Sequence, residues 1–544
     1  MQSTITTPVA DALLAQEKAR HVHDAAADVD RSVPLWVKLL TYSMYAGMFV
    51  LGYLLDLFLP HVRKRAVPPK GYAPLLRDFE EFWNRHAYKN IHDCWNRPIC
   101  SVPGERIDVI ERVPVGDGTT LICSKNVFKG RINLGSYNYL GFAETSGRCI
   151  DSVVDSLDKY GISTCGPVVD IGYTDVHKHL EEKVARFVGK EAALVVGMGF
   201  ATNSTIIPAL GSKGTLIISD SLNHASLIIG TRGSRAKTRV FKHNDIVDLE
   251  RIIRESIRDG QPRTHYPWER IVIIVEGIYS MEGDILNLPA IVAIKKRYKC
   301  YLYVDEAHSI GALGKSGRGV CEYHGVDPSE VDILMGTFTK SFGSVGGYVA
   351  GSRELIDYLR STTFGSVYAC SMAPGCARMI ISAFETIIGE DGTNDGKERI
   401  RRLAENANYF RDRMTEMGFV CLGNHDSPIV PVLTYVPSIM PAFSRECLKR
   451  GVAIVVVGFP ATGVLDSRVR FCISAAHSRE TLDEALAIMD ELGDACLCKF
   501  ATGNKAARRA ATERLARARK AKGLSSGVVA SSSSSATAAA VASH

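Results

Sequence analysis

The sequence has no C-x-x-C pair and no Cys/His spacing that reads as a zinc site, although it holds 14 cysteines. Their scatter reads as reduced, mostly buried thiols in a reducing compartment. No metal site is expected. An excess of one charge sign is missing too: 65 basic against 59 acidic residues leave +6, part of it in the carboxy-terminal tail. That is too little for a nucleic-acid binder. No phosphate loop G-x-x-x-x-G-K-[ST] is present; the one look-alike, Gly314-Lys315-Ser316, has Ser309 where the first glycine belongs. There is no internal repeat. With 46% hydrophobic and 23% charged residues, the chain is not disordered as a whole. Its 544 residues can bury a large core in two or more domains.

One long apolar run is present. Leu39 to Leu59 holds a single charge, Asp56, and a bilayer core needs roughly 20 apolar residues as helix. Trp36, Tyr42, Tyr45 and Tyr53 are interfacial aromatics by type. The run starts too far into the chain for a signal peptide, and no small-residue cleavage site follows. It reads as a membrane helix within 31–62, after a mobile leader over 1–30. Asp56 leaves an in-plane helix open. His61, Arg63, Lys64, Arg65 and Lys70 follow, a basic flank that keeps the body on the cytoplasmic side.

Residues 63–130 read as an arm, and 131–388 as a large domain. In the latter, short apolar runs such as Ala192–Val196, Ile271–Val275 and Tyr301–Val304 alternate with helical patterns. That is an α/β pattern, a mostly parallel sheet covered on both faces. Ligands gather at the carboxyl ends of such strands. Residues 389–500 read as a small α+β domain, and 501–544 as a basic, then Ser/Ala-rich tail without the means to bury a core.

The strand end YLYVDEAH delivers Asp305, Glu306 and His308. DEAH is also the Mg²⁺ box of a helicase class of NTPases. That reading needs the missing phosphate loop earlier in the chain. The alternative starts from Lys340 in GTFTKSFG, a lysine in an open loop among small and hydroxyl residues. A Schiff-base lysine needs such a loop and a pocket that deprotonates it. Pyridoxal phosphate also needs an acid against its pyridine nitrogen, and Asp305 supplies one, 35 residues upstream. The turn at Gly197–Asn203 opens a helix whose N–H groups suit a phosphate, with Thr337 as an added hydroxyl. His224 follows another strand and can stack on a ring.

GSYNYLGF (Gly135–Phe142), SDSLNHAS (Ser219–Ser226), EGIYSMEGD (Glu276–Asp284), VDEAHSIGALGKSGRG (Val304–Gly319) and RFCISAAH (Arg470–His477) resemble the α-oxoamine synthases, from about residue 90 to 500. NRPICSVPG (Asn96–Gly104) and VVVGFPAT (Val455–Thr462) are similar to the eukaryotic membrane-bound branch. The resemblance implies a fold type I pyridoxal-phosphate transferase: a large seven-stranded, mostly parallel sheet domain, a small α+β carboxy-terminal domain, and an active site between two subunits. It implies Lys340 as the Schiff-base lysine and general base, Asp305 on the pyridine nitrogen, His308 on the phenolic oxygen and His224 on the ring. Gly199, Phe200 and Thr337 contact phosphate; Ser280 lies near the cofactor. Asn138, Phe459, Thr462 and Arg470 are assigned to substrate.

The sequence departs from many members of the family in two places. Gly458 and Phe459 stand where a carboxylate-binding arginine is common, leaving Arg468 or Arg470 for that task. Val168 stands where another arginine is common. The expected reaction joins L-serine to palmitoyl-CoA with loss of CO₂ and CoA, giving 3-ketosphinganine. A relative acting on glycine or alanine is the alternative, and a DEAH NTPase a remote one. Expected partners are a homologous subunit lacking the lysine, small activating subunits and Orm-type regulators, in the endoplasmic reticulum membrane. Having Lys340, this chain is not the silent subunit.

Overall fold

The computed structural model describes residues 33–58, 70–73, 82–83, 86–116, 118, 120–459 and 461–503. The leader expected at 1–30, most of the basic flank and nearly all of the tail lie outside the described residues.

Helix α1 (Leu35–Phe58) forms over the long apolar run and starts just after Pro34, whose carbonyl accepts from the Val37 and Lys38 amides. One face packs along its whole length against the body. Val37 joins a cluster with Leu433, Tyr435 and Val436. The Phe49 and Phe82 rings stack at 5.9 Å. Asp56, the discordant charge, pairs with His86 at 2.9 Å. The other face, with Leu39, Tyr42, Val50, Leu51, Leu54 and Leu57, is exposed.

Strands β1 (Arg106–Val115) and β2 (Thr120–Asn133) form an antiparallel hairpin. The central sheet follows: β3 (Ala192–Val196), β4 (Thr215–Asp220), β5 (Lys237–Phe241), β6 (Arg270–Glu276), β7 (Tyr301–Asp305), β8 (Ile333–Thr337) and β9 (Gly347–Gly351). Its seven strands run in the order β3-β9-β8-β7-β6-β4-β5. Only β9 runs against its neighbours; the other pairings are parallel. Runs such as IVIIV and LYV have no polar face because helices cover both sides. The order places four strand ends side by side: Thr337, Asp305, Glu276 and Asp220. Two helices start at this edge, α2 (Gly199–Leu210) and α3 (Ala225–Gly233).

Helix α4 (Asp395–Glu416) leads into the second unit, where β10 (Ile429–Tyr435), β12 (Val455–Val457) and β13 (Ser467–Cys472) form an antiparallel sheet closed by α5 (Arg479–Ala495). Strand β11 (Val452–Ala453) pairs with β2. Cys94, Ile132 and Leu134 share this unit's core with Phe410, Phe443 and Phe471. Within the stretch read as an arm, the Trp95 ring nitrogen donates to the Val456 carbonyl at 2.9 Å and Asp93 pairs with Arg445 at 2.6 Å, both in the carboxy-terminal unit.

Candidate active site

Asp305 ends β7 and is 4% exposed. A carboxylate buried this deeply needs donors, and two reach it. The Asn203 side chain donates to Oδ2 at 2.7 Å and the Ala307 amide to Oδ1 at 2.8 Å. Asn203, on α2, accepts from the Tyr303 hydroxyl at 2.7 Å and also donates to Ser226 Oγ at 2.9 Å. The Ser226 hydroxyl pairs with His224 Nδ1 at 2.8 Å. One network thus fixes the Asp305 carboxylate and the His224 ring from the same helix. Phe200 meets that ring edge-on at 5.9 Å.

Lys340 lies just beyond β8, the strand beside β7. Burial lowers its ammonium to about 8; Asp305 and Glu276 oppose the shift and Arg470 adds to it. Its Nζ stands 5.6 Å from the centre of the Tyr137 ring, which carries the Arg470 guanidinium at 4.8 Å. His308 is 5% exposed and pairs through Nδ1 with the Tyr139 hydroxyl at 2.8 Å. Burial, with Lys340 and Arg470 nearby, holds its pKa well below the ordinary imidazole value. The Tyr139 hydroxyl occupies Nδ1, so Nε2 is the nitrogen left for another partner.

A phosphate needs free donors and room. Met198 caps α2 but offers no side-chain acceptor to its first amides, so those donors are available to an anion. Gly199 lies against Thr337: a Cβ there would stand 2.7 Å from Thr337 Oγ1. The Thr337 hydroxyl also meets the Gly346 carbonyl at 2.9 Å. An acid, an amine, a ring-facing imidazole and an anion cradle share one strand edge, and that set fits pyridoxal phosphate. Ser280 is buried in the turn between Tyr279 and Gly283 at the same edge.

The residues assigned to substrate separate. Arg470 is 5% exposed, and its Nε has no hydrogen-bond partner among the described residues. Arg468 is engaged instead: it donates to the Met281 carbonyl at 2.8 Å, to Glu282 at 3.2 Å and to the Asp466 carbonyl at 2.9 Å. Of the two arginines, Arg470 is the one left for a carboxylate. Both ends of the Asn138 amide are held by backbone, Pro103 O at 3.0 Å and Ala143 N at 3.2 Å. Phe459 packs against Trp83 at 5.3 Å and Tyr45 at 6.5 Å, on the α1 side. The amide of Thr462 turns back to Gly458 O at 3.3 Å.

Glu306 of the DEAH stretch points elsewhere. Its oxygens accept the Val320 amide at 3.0 and 3.1 Å and the Ser309 hydroxyl. Gly319, at φ +87°, has no room for a Cβ beside it. Glu306 caps a helix rather than facing a cation. Residue-by-residue reading passed over Glu276, Asn203, Tyr137 and Tyr139. The signal for Glu276 was there: it closes an apolar strand with an acid, as Asp305 does.

Residues 129–489 match the model of the aminotransferase class I and II family. The chain is 54% identical to serine palmitoyltransferase 2 of Dictyostelium discoideum, over 80% of this chain and 89% of that one. It is 52% identical to long chain base biosynthesis protein 2a of Arabidopsis thaliana, over 86% and 96%. Against human serine palmitoyltransferase 3 it is 49% identical over 87% of each. Among solved structures, the Sphingomonas wittichii serine palmitoyltransferase superposes with a TM-score of 0.66 at 26% identity, covering 75% of this chain and 94% of that one. A high-resolution serine palmitoyltransferase structure holding pyridoxal phosphate as an internal aldimine superposes at 0.63 and 27% identity, over 70% and 90%.

Proposed function

The chain belongs to the aminotransferase class I and II family, within its serine palmitoyltransferase 2 branch, and we propose that it is the lysine-bearing catalytic subunit of a serine palmitoyltransferase. The reaction is the pyridoxal-phosphate-dependent condensation of L-serine with palmitoyl-CoA to 3-ketosphinganine, CoA and CO₂, which opens sphingolipid synthesis. The observation that carries this reading is the placement of Asp305 and Lys340 at neighbouring strand ends, with the buried His308 beside them.

Lys340, Asp305, His308 and His224 would hold the cofactor's ring, and Gly199, Phe200 and Thr337 its phosphate, with Ser280 nearby. When bound, pyridoxal phosphate supplies an electron sink for negative charge developing at the amino-acid Cα. Asp305 places a carboxylate opposite that sink, and its two hydrogen bonds fix the orientation of that group. With an amine pKa of about 8, Lys340 exchanges a proton at Nζ near neutral pH, as a general base requires. Arg470 orients the serine carboxylate. The Tyr137 ring packs edge-on against Tyr139 and His308 beside Lys340.

The same reading extends to the setting. The exposed apolar face of α1 and the basic residues after it support an endoplasmic reticulum membrane, with the body facing the cytoplasm. A homologous subunit without the lysine completes the enzyme, and small activating subunits and Orm-type regulators attach to it. The test is an absorbance scan of the complex purified with its partner, before and after L-serine. A change specific to serine is expected; the same change with glycine or alanine would point to another acyl-CoA condensing enzyme.

A further inference from the structure

Glu276 ends β6 beside Asp305, its register partner on β7. Adjacent strands lie about 4.8 Å apart. Both carboxyls are 4% exposed. Their surroundings differ. Asp305 accepts from a side-chain amide and a main-chain amide, one on each oxygen. For Glu276, the donor the geometry supplies is the main-chain amide of His224, on Oε1. Its own amide turns to the Tyr279 hydroxyl at 3.3 Å. Around it stand Asp305 on β7, Asp220 on β4 with its partner His243, Lys340 beyond β8 and His224 ahead of α3; of the acids, Asp305 and Glu276 itself face the Lys340 amine. Buried carboxyls on adjacent strand ends disfavour each other's ionised form, and the one with fewer donors is the harder to ionise. Burial first, and then Asp305, raise the Glu276 carboxyl well above its ordinary range, despite Lys340.

We propose that Glu276 is a positioning residue that works as an uncharged carboxyl, tying down the main chain of His224 and leaving Asp305 as the one acid that acts on the cofactor ring. A second charge there would hold Lys340 protonated and weaken its use as a base. The proposal deepens the pyridoxal-phosphate reading, and its second arm rests on it.

The first arm needs no cofactor. The infrared difference spectrum of the apo-complex, wild type minus Glu276→Gln at pH 7, should show the C=O band of a protonated carboxyl; a carboxylate doublet overturns the proposal. The second arm is a visible-absorbance pH titration of the loaded complex. Glutamine keeps the acceptor for the His224 amide and carries no charge, so Glu276→Gln should titrate within about 0.3 pH unit of wild type. A downward shift of about one unit or more would mean that a negative charge had been removed. Glu276→Ala should lower cofactor affinity about tenfold through the freed His224 loop, with Glu276→Gln close to wild type; unchanged affinity in the alanine variant overturns the positioning role. If wild type shows no visible band with added pyridoxal phosphate, the cofactor reading fails, and the infrared arm still decides the charge of Glu276.

Discussion

Asn203 holds Asp305 from across the sheet edge, its side-chain amide 2.7 Å from Oδ2, while its own carbonyl is held by the Tyr303 hydroxyl at 2.7 Å. The two residues are 102 positions apart, so the fold alone joins them. A hydrogen bond to a buried charge is worth about 1.5–3 kcal/mol. Asn203→Ala should therefore weaken cofactor binding by about tenfold or more and lower the melting temperature of the apoprotein. Equilibrium dialysis and calorimetry read the two effects. Asn203→Asp should do worse, since it sets a second acid against Asp305.

The sheet was legible because buried parallel strands read as short apolar runs, most of them closed by a polar or glycine-rich turn, whereas the order of its strands, set by the crossovers, was not. Asp305 and His308 could be placed for the same reason: they follow a strand within one contiguous stretch. Asn203 and Tyr139 could not, and Glu276 only as an acid at a strand end, because their roles arise from register and crossover. Glu276 matters through its neighbour on β7, and Tyr139 through His308, 169 residues on. Asp56 looked out of place in an apolar helix until His86, 30 residues later, supplied its partner. Pairings of this kind have no period in the sequence.

Lys340 gives a pH signature with a definite sign. Its folded pKa, about 8, is below the ordinary lysine value of 10.5. Between those values the unfolded chain keeps a proton that the folded chain has released. Apoprotein stability therefore rises with pH across that window through this group and is flat outside it. Lys340→Met removes that slope. At pH 7 it also removes a partly desolvated charge and should stabilise the apoprotein by about 1–2 kcal/mol, a figure reduced because part of the side chain reaches solvent. Denaturant titrations of both apoproteins between pH 7 and pH 10 check this; parallel curves would contradict it.

The two arginines of β13 should separate in kinetics. Arg468 ties the Met281–Glu282 turn to the small unit, whereas Arg470 lies over Tyr137 beside Lys340. Arg470→Lys keeps the charge but loses the planar fork suited to a carboxylate. It should raise KM for L-serine by about tenfold with little change in melting temperature. Arg468→Ala should lower stability by about 2–3 kcal/mol, since it strips a buried ion pair and two backbone contacts. Steady-state kinetics and calorimetry on both variants separate the roles, and a reversal of the pattern would exchange the assignments.

Two glycines of α1 should respond in opposite ways. A Cβ on Gly52 would stand 2.7 Å from the Phe82 ring and 3.1 Å from His86, while one on Gly47 would meet nothing within 4 Å. Gly52→Leu therefore drives α1 off the body where Asp56 and His86 pair; overpacking of this kind costs about 1–3 kcal/mol. Gly47→Leu adds an apolar side chain where there is open space and leaves the packing intact. Met44 and Ser438 touch at 3.9 Å, so cysteines at these positions report the docking through a short bismaleimide crosslinker. Yield should fall several-fold in the Gly52→Leu background and hold in Gly47→Leu. Membrane flotation of both variants should be at least that of wild type, because neither change removes apolar surface from the exposed face. Equal crosslinking in the two backgrounds would mean that α1 does not rest on Phe82.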